Sequence, residues 1–219
     1  MEILFSFLIC LLATTIGGIS GVGGGVIIKP VLDATSGMPV ATVSFLSGCT
    51  VLAMTITSML RSRGGEVKVE PRRGTLLAIG AAVGGVVGKE LFELVRASGG
   101  SAVSVAQQVM MIVLTLGVLV YTLNRPRFAA KDVKNPAACV TIGLVLGLLS
   151  AFLGIGGGPI NLAVLYYFFS MDTKTAALNS LYIILFSQGA SFLNTILRGT
   201  VPEFQWPVLI VMVIGGVVG

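Results

Sequence analysis

GGISGVGGGVIIKPVL, residues 17–32, decides the fold, because its centre, GVGGG at 21–25, returns as GIGGG at 154–158, 133 positions later. The neighbours return with it. At the same offset Ile9 meets Ile142, Leu11 meets Leu144, Met38 meets Met171, Thr42 meets Thr175, Ser47 meets Ser180 and Ser58 meets Ser191. After a slip of two residues, GGVVG at 84–88 matches GGVVG at 215–219. The chain therefore reads as two copies of one unit, residues 1–125 and 126–219, with the second copy ending before its last helix. That early end is expected of a truncated fragment, or of a chain whose partner supplies the rest.

Composition places both copies in lipid. Apolar residues make up 55% of the chain and charged residues 11%, against roughly a quarter charged in ordinary soluble domains. The net charge of +5 does not point to nucleic acid, because the Lys and Arg residues gather in short loops between apolar runs, as cytoplasmic loops of membrane proteins do. Cys10, Cys49 and Cys139 lie in apolar runs without paired spacing, so neither a disulfide framework nor a zinc site is expected. A signal peptide is not expected either: Glu2 stands where positive charge belongs, no small-residue cleavage site follows, and Ile9 and Leu11 have counterparts in the second copy.

A membrane helix needs about 20 mostly apolar residues. Such runs cover 3–20, 40–60, 75–95, 103–123, 137–153, 175–197 and an unfinished stretch from 204. They predict an all-α polytopic transmembrane bundle of two repeats with about four helices each. The loops 61–74 and 124–136 carry five and four basic residues and should face the cytoplasm, with the turn SGGSA at 98–102 on the far side. Parity then places 29–39 and 170–174 outside and the N-terminus inside. Four spans per copy would make the copies point the same way, whereas a re-entrant segment at a glycine motif would make the count odd and the repeat inverted.

The run 3–32 would be about 45 Å long as one helix, more than the roughly 30 Å hydrocarbon core, and three adjacent glycines should break it. Exposed backbone is tolerated at that depth only inside protein or against a wet cavity. Matching breaks in both copies point to a site at the repeat interface. A helix restarting after Gly25 or Gly158 offers unpaired N–H groups and the positive end of its dipole, an anion site in outline, and Pro159 suits the first turn of such a helix. The glycines could instead serve only close helix packing, as Gly80, Gly84 and Gly88 are expected to do. No P-loop Lys-Ser/Thr is present and no strand precedes the motif, so nucleotide binding is not expected.

Polar residues at membrane depth add to the site. The expected substrate-binding set is Gly23, Gly24, Gly25, Thr42, Ser47, Gly156, Gly157, Gly158, Asn161, Thr175, Asn179 and Ser180. For single Ser or Thr residues, inter-helix hydrogen bonding is the competing reading. Lys29 could draw an anion to the outer mouth, or snorkel at the interface. Lys89, Glu90, Glu93 and Arg96 read as an interfacial cluster. The chain has no histidine, and no acid pair is expected mid-membrane, so an intramembrane enzyme is hard to build, and no cofactor or metal is expected.

GGISGVGGGVIIKPVL, then FLGIGGGPINLAVL at 152–165 followed by MDTKTAALNSLYIILFSQ at 171–188, resembles the TauE/SafE family of sulfite exporter-like permeases over nearly the whole chain. The resemblance implies a secondary permease of the bacterial inner membrane that moves sulfite or an organosulfonate, in the export direction. A homo-oligomer is compatible with it. The alternative is a non-transporting membrane subunit whose glycines serve assembly.

Overall fold

The computed structural model describes the backbone of residues 2–62, 64, 69–124 and 130–219, and their side chains except at 2, 3, 96 and 98–104. Among these residues all regular structure is α-helix: α1 (Glu2–Ser20), α2 (Gly25–Thr35), α3 (Val40–Ser62), α4 (Pro71–Leu123), α5 (Pro136–Leu153), α6 (Gly158–Phe169), α7 (Thr173–Leu197) and α8 (Trp206–Val218). Five segments are long and apolar enough to cross a membrane: Val40–Ser62, Pro71–Val95, Val105–Leu123, Pro136–Leu153 and Thr173–Leu197. Helix starts at 25 and 40 recur at 158 and 173, again 133 residues on. Arg63, Glu66, Lys68, Arg125 and Arg127 of the two basic loops lie outside the described residues.

The helix break after Ser20 makes a hairpin. Gly24 sits against Ala13 and Thr14, and Cys10 and Ala13 of α1 share a buried cluster with Ile28 and Leu32 of α2, so α2 returns along α1. The second break does the same, because Cys139 near the start of α5 packs with Leu165 and Phe169 near the end of α6. Each hairpin enters the bundle and leaves at the same end.

α4 is helical throughout but not straight. At 1.5 Å per residue its 53 residues would reach about 80 Å. Instead Leu77 near its start and Tyr121 near its end pack on one cluster, while Phe92 and Gln107 both meet Phe152. The expected turn at 98–102 is therefore helical backbone at the fold-back between two arms. The first arm lies against α5 at van der Waals contact of the backbones. A methyl on Gly80, Gly84 or Gly88 would strike the carbonyls of Val140, Leu144 or Leu148, and one on Gly143 or Gly147 those of Leu77 or Ala81. The packing role read for the first three glycines holds; its complement on α5 escaped the sequence reading.

One end of the bundle gathers the basic loops. Lys131 and Val133 donate backbone N–H bonds to Tyr167 and Phe168 at the end of α6, Arg73 pairs with Asp132 at 2.7 Å, and the Glu70 N–H reaches Asn179 Oδ1 at 3.3 Å. The 170–174 connection lies at this same end, which overturns the expectation that it faces away from those loops. At the opposite end Thr42 Oγ1 donates to the Glu203 carbonyl at 3.0 Å, joining the start of α3 to the α7–α8 connection. α1 also begins there, so the N-terminus is opposite the basic loops, not beside them as parity suggested. Each correction has a hairpin as its cause: α5–α6 crosses nothing, which brings 170–174 back to the basic end, and α1–α2 crosses nothing, which leaves the N-terminus at the other end.

α3 and α7 consequently run antiparallel. Phe45 stacks on Phe192 with ring centroids 6.0 Å apart, and Leu52 lies against Gly189.

Candidate functional site

The two glycine breaks meet at the centre of the bundle. A methyl on Gly25 would fall on the Ile155 carbonyl, and one on Gly158 would strike Val26 and lie 3.2 Å from the Val22 carbonyl oxygen. A methyl on Gly23 would lie 3.3 Å from Ile184 and 3.8 Å from Val51, and one on Gly156 2.9 Å from Val51 and 3.8 Å from Ile184. Apart from that with Val26, each of these contacts has its partner 133 residues away, the reciprocity of a two-fold related interface. Gly23 and Gly156 hold φ of 80° and 77°, the left-handed region where a side chain is strained, so both glycines are required by conformation as well as by space.

The expected substrate residues fall into three groups. Gly23, Gly24, Gly25, Gly156, Gly157 and Gly158 form the crossing and are buried. Asn161, one turn into α6 and 1% exposed, packs on Gly157 with neither Nδ2 nor Oδ1 hydrogen-bonded. Ser180 Oγ donates to the Gly21 carbonyl at 2.7 Å, whereas its counterpart Ser47 is fully buried with a free hydroxyl. These residues surround the crossing.

The remaining three do not. Thr42 holds the α7–α8 connection. Thr175 donates its backbone N–H and its hydroxyl to Asp172 at 2.8 and 2.9 Å, capping α7. Those bonds, the backbone one first, hold the Asp172 carboxyl below its ordinary range. Asn179 ties the approach to α4, donating to the Thr175 carbonyl and accepting from the Glu70 N–H. In an antiparallel pair, repeat-related positions meet only near the two-fold axis, and Thr42 and Thr175, far from it, end up at opposite ends.

A cavity of about 30 Å³, room for about two waters, with walls of mixed polar and apolar side chains, opens beside the crossing. Ser44, Gly48 and Cys49 of α3, Lys89 and Phe92 of α4, Gly154, and Gln188 and Ser191 of α7 line it. The Ser44 hydroxyl is buried without a partner, and Gln188 Nε2 donates to Ser150 Oγ at 3.3 Å. Lys89, read as part of an interfacial cluster, is 9% exposed and reaches Glu93 at 3.1 Å. Sequence reasoning missed Ser44, Lys89 and Gln188 as neighbours, since they come from three separate helices.

Lys29 is neither at the mouth nor snorkelling. It is 1% exposed, bonded to Asp33 Oδ2 at 2.7 Å, with its side chain ending beside Gly154 and Ser44. Asp33, in the last turn of α2, has its side chain buried with Lys29 because α2 turns back along α1.

A polytopic helical bundle with two broken helices crossing at its centre, polar groups left open beside them, is the architecture of a membrane transporter. The profile of the sulfite exporter TauE/SafE family matches residues 6–219, and the chain belongs to that family. A Bacillus subtilis (strain 168) protein named probable membrane transporter protein YunE is 25% identical over 214 residues, covering 87% of this chain and 77% of that protein. No solved structure matches. The protein is a multi-pass membrane transporter.

Proposed function

We propose that this transporter is a secondary permease for a small sulfur-containing anion, sulfite or an organosulfonate, with export as its direction and the crossing of the two breaks as its site. The observation that carries the reading is Asn161: a side-chain amide 1% exposed, with both polar atoms unpaired, one turn inside the helix that restarts at Gly158. Leaving a buried polar group unpaired costs about 1–3 kcal/mol, so a ligand that pairs with it recovers that loss. The positive end of the α6 dipole beside it favours an anion. The family name suggests sulfite among the candidates.

The substrate-binding residues in this reading are the six crossing glycines with Asn161, Ser47 and Ser180. Residues 1–125 and 126–219 are inverted repeats, supported by the constant offset and the antiparallel α3 and α7, and the basic end faces the cytoplasm. The test is flux in proteoliposomes. Radiolabelled sulfite should exchange against internal sulfite and be displaced by sulfonates but not by chloride. Absence of exchange for sulfite and for sulfonates alike, in a folded sample, would refute the reading.

A further inference from the structure

Lys29 and Asp33 form an ion pair inside the bundle, with side chains 1% and 2% exposed and Nζ 2.7 Å from Oδ2. Lys29 stands one turn from Gly25, so at about 1.5 Å per residue it is roughly 6 Å from the centre of the crossing. A buried charge pair at that depth is costly and needs every remaining valence satisfied to be merely structural. This pair is not satisfied, because Asp33 Oδ1 is buried without a partner. Ser44 Oγ, in the wall of the cavity and beside the end of the Lys29 side chain, is likewise buried and unpaired. The second half shows that the fold does not require the pair: the positions 133 residues on are Leu162 and Tyr166.

We propose that Lys29 is the counter-charge for the transported anion and that Asp33 is the proton-binding group that releases it. With Asp33 ionised, the pair is neutral and Lys29 is held by Asp33. When the Asp33 carboxylate takes up one proton from water it becomes a neutral acid, and the Lys29 ammonium, still protonated, turns to the cavity beside Gly154 and Ser44. The pair then carries one positive charge, and one bound negative charge restores neutrality, so one proton accompanies each negative charge moved. Few other charged groups compete. α1 brings no charged side chain among its described residues; Ser44 and Cys49 come from α3; Gln108 and Thr115 from the second arm of α4 stand near Asp33; and Lys89, tied to Glu93, faces the cavity from the first arm. Gln188 of α7 completes the wall.

The inference rests on the anion-permease reading, and one set of measurements separates the two. The probe is methanesulfonate, whose charge does not change with pH, bound to the detergent-purified full chain and measured by calorimetry between about pH 5 and about pH 8. Wild type should lose affinity by at least about tenfold as the pH rises from about 5 to about 8. Asp33→Asn should bind at all pH values about as tightly as wild type at its acid limit. Lys29→Leu with Asp33→Tyr, which installs the second half's own residues, should fold, since exchanging both members of a buried pair for apolar groups is often neutral or stabilising. It should also lose binding by at least about a hundredfold, because no counter-charge remains. Binding by that double variant at wild-type strength, or affinity in wild type that ignores pH, overturns the proposal and leaves the permease standing. A folded wild type that binds neither methanesulfonate nor sulfite overturns both.

Discussion

The two glycine breaks share a backbone and differ in chemistry. Both turn a helix back at the bundle centre, and both press glycine onto the other's carbonyl. Beyond the turn they diverge. α2 carries Ile28, Lys29 and Asp33 where α6 carries Asn161, Leu162 and Tyr166. Ser180 secures the first break through the Gly21 carbonyl, while Ser47 secures nothing. What is common to the two is the scaffold; what differs marks the residues free to specialise for a ligand. In the two-repeat reading proposed above, each specialised residue has a counterpart showing what structure alone tolerates.

The largest effects should come from the shared part. Gly25→Leu and Gly158→Leu each drive a side chain into the facing break, and both should reduce sulfite exchange at least about a hundredfold while membrane insertion persists, as seen by protease protection. The effects should match; a severe loss in one and none in the other would break the reciprocity. Asn161→Ile copies the first half into the second. It should lower exchange about tenfold yet leave thermal stability unchanged or raised, because it removes polar atoms that were unpaired. A clear fall in stability with exchange intact would make Asn161 a packing residue.

Smaller effects sharpen the serine difference. Ser180→Ala removes a bond to the Gly21 carbonyl and should cost about 0.6–1 kcal/mol in unfolding experiments in detergent, whereas Ser47→Ala should cost about nothing. Equal losses would refute the asymmetry. Smallest is the basic end, which neither break reaches. There Lys134, and then Arg73, hydrogen-bonds the Asp132 carboxylate and holds it below its ordinary range. Its folded value lies under its unfolded one, so its contribution is present above the ordinary carboxylate range and lost as pH falls through the depressed value. Asp132→Asn should therefore lower the melting temperature slightly at neutral pH and not at strongly acid pH. A difference that persists at acid pH would remove the ion pairs as its cause.

Much of this was legible in order along the chain. Apolar run lengths predict the crossing helices, because a bilayer sets a minimum length. Gly80, Gly84 and Gly88 announce a close helix contact, because only residues without side chains let backbones touch. The glycine triplets mark the breaks, because a helix cannot carry three of them cheaply in lipid. Thr42 and Thr175 lie at opposite ends, because pairing across a repeat records equivalence of position and not proximity; equivalent residues come together only near the axis, as Val51 and Ile184 do beside Gly23 and Gly156.

By itself, then, the sequence determined that this protein is a bundle of membrane helices, twice interrupted at glycine motifs. Those are properties of composition and spacing, which local chain physics and the bilayer read directly. Tertiary structure alone decided that each interruption is a hairpin, that α3 and α7 oppose one another, and that Lys29, paired with Asp33, ends beside a cavity built from α3, α4 and α7. Such outcomes depend on which way a helix turns after a break and on which distant side chains then share a wall, and neither is encoded in any one stretch of the chain.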